Sequence, residues 1–128
     1  MKKGVNAWTY PTNFTIDDVL KASKEIGYDG VELNITEEML ELTRKDRESI
    51  AEKAISIGLE LPSLCSGLFW KYNLASHDGT VRKKGVEILI GGCEFAADLG
   101  IKVLLVVPAV AAPEISYQRT WDLSKKSL

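Results

Sequence analysis

Glu25-Ile26-Gly27-Tyr28-Asp29-Gly30-Val31-Glu32-Leu33 passes from an amphipathic run into a β-rich one through a single glycine. The same punctuation returns at Ser56-Ile57-Gly58-Leu59-Glu60-Leu61 and at Asp98-Leu99-Gly100-Ile101-Lys102-Val103-Leu104. A glycine just past the last helical turn takes the left-handed conformation without Cβ strain, and the chain then turns straight into a strand. Helix, glycine, strand is the return leg of a βαβ unit. Its recurrence predicts an α/β protein with parallel strands and right-handed crossovers.

The segments between these returns agree. Ile16, Val19, Leu20, Ser23 and Ile26 fall at helical spacing behind a cap at Thr15, with Asp17 and Asp18 placed to favour the helix dipole. Ile50, Ala51, Ala54 and Ile57 form the apolar stripe of a second helix between Thr43 and Ile57. Ile88, Leu89, Gly92, Cys93, Ala96 and Leu99 form that of a longer third one, Thr80 to Leu99, whose Gly85, Gly91 and Gly92 predict close packing against neighbours. Ile115 to Leu128 is amphipathic and reads as the start of a fourth. The predicted strands are Gly4 to Trp8, Gly30 to Asn34, Glu60 to Leu64 and Lys102 to Val107. The last is apolar without alternation, as in a strand covered on both faces.

Composition sets the outer bounds. The chain has 128 residues, 45% of them hydrophobic and 27% charged, which suits one soluble globular unit spanning residues 1–128. A formal net charge of −2, with its basic pairs scattered, leaves no field for nucleic acid or anionic lipid. The residues after Met1-Lys2-Lys3 are too polar for a signal-peptide core, and the longest apolar run, Val103 to Ala112, is broken by Pro108 and too short to span a membrane. Cys65 and Cys93 belong to no C-x-x-C pair, so neither a zinc knuckle nor a redox motif is expected, and a cytoplasmic location is.

Four β/α units fit either a small doubly wound sheet or half of a barrel. The first strand runs into Ala7-Trp8-Thr9-Tyr10-Pro11, which offers neither a glycine-rich phosphate cradle nor an acidic cluster, and this disfavours the nucleotide-binding and receiver-type sheets. Gly4-Val5-Asn6-Ala7-Trp8, Gly27-Tyr28-Asp29-Gly30-Val31-Glu32-Leu33, Gly58-Leu59-Glu60-Leu61-Pro62-Ser63, Tyr72-Asn73-Leu74-Ala75-Ser76-His77-Asp78 with Val81-Arg82, and Ala96-Ala97-Asp98-Leu99-Gly100 together resemble the xylose-isomerase-like TIM barrels. Within that superfamily of sugar-phosphate isomerases and epimerases, the ketose 3-epimerases are the most similar. The resemblance implies a (β/α)8 barrel, of which this chain would supply the N-terminal half of about four β/α units, since a full barrel takes roughly 250 residues. It further implies a sugar or sugar phosphate as partner. In full-length relatives it implies a divalent metal (Mn, Co or Mg) held by carboxylates and a histidine of the second half, where the acid/base glutamates also lie. The expectation for this chain is therefore no bound metal and no activity alone.

Active sites of such barrels lie at the C-terminal ends of the strands, which here carry Asn6 and Trp8, Glu32 and Asn34, Cys65 and Ser66, and Pro108. Asn6 and Trp8 either donate to and stack on a sugar or plug the barrel mouth. Glu32, inside the superfamily motif, binds a substrate hydroxyl, supports a catalytic group or pairs with a neighbouring base. The resemblance places substrate contacts at Cys65 and Ser66, against which stands the reading of Cys65 as a small buried hydrophobe. Phe69, Trp70 and Tyr72 make an aromatic loop suited to a ligand wall or lid, with Trp70 a substrate-binding candidate, or else to packing or a subunit contact. His77, the single histidine, has no partner ligand and precedes Asp78, the expected cap of the third helix, so its role reads as structural. The rival to a sugar epimerase is a non-enzymatic half-barrel that self-associates. Open parallel strands expose two edges, and a homo-oligomer is expected on either reading.

Overall fold

The computed structural model describes residues 1–111, 113 and 115–128; Ala112, at the end of the apolar run, and Glu114 lie outside the described residues. The strands are β1 (Gly4–Asn6), β2 (Gly30–Asn34) and β3 (Leu64–Cys65). They pair in parallel in the order β1-β2-β3, with Gly4 opposite Gly30, Asn6 opposite Glu32 and Asn34 opposite Cys65. A single bridge between Leu64 and Leu104 continues this order into the fourth segment. The helices are α1 (Ile16–Ile26), α2 (Glu37–Leu40), α3 (Arg44–Ser56), α4 (Leu68–Lys71), α5 (Gly79–Asp98) and α6 (Tyr117–Ser127).

The helix boundaries follow from local chemistry. Thr15 and Thr43 open α1 and α3 with reciprocal capping boxes, in which the hydroxyl accepts from the main chain of Asp18 or Asp46 and that carboxylate accepts from the threonine N–H. Asp78 caps α5 by accepting from Thr80 N–H at 2.7 Å. At the other ends Gly27, Gly58 and Gly100 all have positive φ, at 92°, 67° and 70°. These are the glycines that punctuate the sequence, each releasing the chain from a helix.

Alternation along β2 sorts its side chains between two environments. Val31 and Leu33, with Ile35 beyond the strand, enter one buried cluster with Val19 and Leu20 of α1, Ile50 and Ala54 of α3, and Phe95, Ala96 and Leu99 of α5. The long helices thus cover one face of the sheet, while Glu32 and Asn34 look out from the other. A second cluster, Phe69, Leu74 and Ile88, seats α4 on α5. Close packing explains the α5 glycines: a Cβ at Gly85 would come 2.5 Å from the Tyr72 carbonyl oxygen, and one at Gly92 would come 3.2 Å from Leu104. The α3–α5 contact is locked by Arg47, whose guanidinium donates to Asp98 at 3.2 Å and to the Leu40 carbonyl at 3.0 Å and lies 5.1 Å from the Phe95 ring centre.

The strands depart from expectation at their ends. The first stops at Asn6, because the Asn6 side chain accepts from Trp8 N–H at 2.8 Å and turns Ala7–Thr9 into one 3-10 turn. The third is paired at Glu60 and again at Leu64–Cys65, with Pro62, which has no N–H to give a ladder, between them. The fourth, expected over Lys102 to Val107 and covered on both faces, is reduced to its contact with Leu64, which donates to the Val103 carbonyl at 2.9 Å and accepts from Leu105 N–H at 2.8 Å. Leu104 packs on the helices, while Val103 and Leu105 are 55% and 50% exposed because their face of the sheet has no facing layer. The four-residue helices α2 and α4 are additions to the expected pattern, and Cys93, placed in the α5 stripe from sequence, is exposed.

Candidate functional site

Parallel strands bring their C-terminal ends together, and here the ends of β1, β2 and β3 gather one polar group on the face opposite the helices. Asn6 closes β1, Glu32 and Asn34 lie in β2, and Cys65 closes β3. Asn6 Nδ2 donates to Glu32 Oε1 at 2.6 Å, and Ser63 Oγ donates to Glu32 Oε2 at 2.7 Å. The same Asn6 nitrogen lies 3.3 Å from Cys65 Sγ. The Asn34 carboxamide fills the gap between them, one end 3.2 Å from Asn6 Oδ1 and the other against Cys65 Sγ. Burial pushes the Cys65 thiol up to about 11, with the Asn6 hydrogen bond opposing the shift and the Glu32 carboxylate adding to it. Cys65 is therefore a neutral thiol at physiological pH.

Trp8 sits above this group on the turn that Asn6 caps, with its indole against Gly67, where a Cβ would come within 3.3 Å of the ring. It remains 61% exposed and forms one wall of a cavity of about 290 Å3 lined also by Tyr10, Phe14, Leu33, Asn34 and Met39. The expected residues thus divide. Asn6, Trp8, Glu32 and Cys65 come together, with Asn34 between them. Ser66 does not join: it is buried and its hydroxyl donates to the Ile35 carbonyl at 3.0 Å and accepts from Leu68 N–H at 3.2 Å, which starts α4. Trp70 stands on α4, 65% exposed, while its neighbour Phe69 is core and Tyr72 reaches toward the Glu37 carboxylate. His77 is exposed beside the α5 cap. Ser63 was not expected, and its signal was the alternation that puts it two residues before Cys65, on the same face.

The donor set decides what this group can hold. No three His, Cys, Asp or Glu converge among the described residues. Glu32 is the carboxylate of the cluster, both of its oxygens already accept hydrogen bonds, and Cys65 keeps its proton. The divalent metal that the resemblance implies for full-length relatives does not fit these residues. What they offer is a charged acceptor, two carboxamides and an aromatic wall, a set suited to neutral hydroxyl-rich molecules. Each Glu32 oxygen retains a second lone-pair direction for an incoming hydroxyl.

Parallel strands in sequential order, helices on one face and a polar group at the C-terminal strand ends define the N-terminal half of a (β/α)8 barrel. The xylose isomerase-like TIM barrel family matches residues 20–128, and the chain belongs to it. Among individual relatives, it is 31% identical over 108 residues to the L-ribulose-5-phosphate 3-epimerase UlaE of Salmonella heidelberg strain SL476, covering 80% of this chain and 37% of that protein. It is 30% identical over 104 residues to UlaE of Escherichia coli strain SMS-3-5, covering 77% of this chain and 35% of that protein. The chain thus spans little more than a third of the length of these relatives. In structure it is similar to the D-psicose 3-epimerase of Clostridium cellulolyticum H10 solved with D-tagatose, with a TM-score of 0.81 at 16% identity over 99% of this chain and 46% of that one. An L-ribulose 3-epimerase structure gives a TM-score of 0.76 at 21% identity, over 99% and 43%. No helix among the described residues is long and apolar enough to cross a membrane.

Proposed function

We propose that this chain serves the 3-epimerisation of a ketose or ketose phosphate by binding and orienting the sugar, and that the proton transfers themselves need groups outside the described residues. The observation that carries the reading is the Asn6–Glu32–Cys65–Asn34 group at the strand ends, beneath the exposed Trp8 ring. Glu32 accepts sugar hydroxyls through charge-assisted bonds, Asn6 and Ser63 hold its carboxylate in place, and Trp8 stacks on the apolar face of the ring. Trp70 supplies a second wall from α4. Inverting a carbon next to a carbonyl takes one group to remove a proton on one face and another to return it on the opposite face. The cluster holds one carboxylate, fixed by two donors, which suits binding better than that exchange.

Two further parts of the reading concern the assembled protein. Val103 and Leu105 carry apolar surface worth about 25 cal/mol per Å2 when removed from water, and a second copy of the chain covers them. The compartment that fits such a sugar-metabolising protein, with two free thiols, is the cytoplasm.

Calorimetric titration with L-ribulose 5-phosphate and with D-fructose tests the binding claim. Saturable binding that weakens about tenfold in Glu32→Gln and in Trp8→Ala is expected, the factor a charge-assisted hydrogen bond or a stacked ring supplies. Binding unaffected by both substitutions overturns the assignment. Incubating the chain with these sugars and manganese, cobalt or magnesium should give no epimer above a metal-only blank, and clear turnover would refute the division of labour.

A further inference from the structure

Trp8 presents a contradiction between exposure and bonding. Its ring is 61% exposed on a three-residue turn, where an indole ordinarily samples several rotamers, yet both of its N–H groups have an acceptor within reach. The acceptor is Asn34, at the far end of β2. The position that its amide presents to Trp8 lies 2.9 Å from indole Nε1 and 3.0 Å from the main-chain nitrogen. An amide nitrogen there would donate to Asn6 Oδ1 at 3.2 Å but meet both Trp8 donors head-on, whereas an oxygen accepts from both at the cost of facing that one acceptor, so two donors against one acceptor favour the oxygen. The carboxamide nitrogen then turns to Cys65 Sγ, a weak acceptor that also receives Asn6 Nδ2 at 3.3 Å. Asn6 Oδ1 shares the Trp8 main-chain N–H at 2.8 Å.

We infer that Asn34 is a positioning residue that fixes the Trp8 indole over the strand ends, its side-chain oxygen accepting both the indole and the main-chain N–H of Trp8. The turn Ala7–Thr9 is only three residues long, and residue 67, beside the ring, is a glycine whose Cβ would come within 3.3 Å of it. Without Asn34 the indole keeps its flat seat on Gly67 but loses its directional restraints. The functional meaning of this restraint rests on the reading of Trp8 as a wall for a sugar ring. A ring held before the ligand arrives costs less conformational entropy on binding than one that must be ordered.

Indole N–H exchange in the full chain, recorded by proton–nitrogen correlation spectra with Trp8 assigned through Trp8→Phe, tests the restraint without any ligand. Trp70 and Trp121 are comparably exposed, at 65% and 51%, and serve as internal references. The Trp8 indole proton is expected to exchange about three- to tenfold more slowly than theirs, the factor one net hydrogen bond supplies. Asn34→Leu should abolish the difference, and Asn34→Asp, which keeps an oxygen at the same place, should restore it. Equal exchange at the three indoles of the unsubstituted chain overturns the inference, as does protection that survives Asn34→Leu. Adding D-fructose then separates this inference from the reading it rests on. Slow exchange with no sugar-dependent shift of the Trp8 signal keeps the restraint and removes the sugar wall, and a shift without slow exchange does the reverse.

Discussion

Cys65 shows how a single side chain reports on the site. Its thiol is pushed up from 9.0 to about 11 by burial, so the native state holds the proton more tightly than the unfolded chain does. The resulting stabilisation is complete below pH 9 and is lost as the pH rises toward 11. Across that window the unsubstituted chain should lose up to about 2 kcal/mol more than Cys65→Ala, measured by urea unfolding at each pH. A disulfide reagent at pH 8 should correspondingly label Cys93, which is exposed, and spare Cys65 until the chain is denatured. Equal labelling of the two native thiols would contradict this. At this scale the sequence placed Asn6, Trp8, Glu32 and Cys65 at one end of the sheet, because parallel strands all run out toward the same end and these residues lie in or just past their final residues. It did not disclose that Ser66 turns away or that Ser63 turns in. Alternation about Cys65 relates the two, with Ser63 on its face and Ser66 on the other, but which face is which is settled only by the pairing with β2.

At the scale of elements, the helix-glycine-strand returns were legible because each is settled within a few residues of chain. Gly27 and Gly100 have positive φ, and a Cβ at either meets nothing within 4 Å. Replacing either by alanine therefore isolates backbone strain, with an expected cost of about 1 kcal/mol. Gly85 has ordinary backbone but faces the Tyr72 carbonyl at 2.5 Å from the position of a Cβ, so Gly85→Ala should cost more, about 2–3 kcal/mol, through a clash that only a main-chain shift relieves. Denaturation midpoints of the three variants check the ranking, and equal losses would show that packing at Gly85 is looser than described. The strand lengths were less legible, because a strand extends only as far as its neighbour offers partners. The helices α2 and α4, at four residues each, are too short for any periodicity to betray them.

For the molecule as a whole, the order β1-β2-β3 continued by Leu104, with the long helices on one face, is that of the half barrel the family resemblance implied, where the repeated returns alone fitted a doubly wound sheet equally well. The burial of the fourth segment could not be read in the same way, since an apolar run is equally apolar whether or not something covers its second face. Val103 and Leu105 carry the prediction here. Sedimentation of the 128-residue chain at micromolar concentration should show a mass above the 14.1 kDa monomer, and Leu105→Lys should lower mass and stability together. A compact, folded monomer would contradict that assembly. The sugar-binding claim is tested most directly by following backbone and side-chain signals while D-fructose or L-ribulose 5-phosphate is titrated into the assembled protein. Saturable shifts are predicted at Asn6, Trp8, Glu32, Asn34 and Cys65, at the C-terminal strand ends. Shifts gathered instead around Gly4, Gly30 and Glu60 at the opposite end of the sheet, or no saturable shift at all, would contradict it.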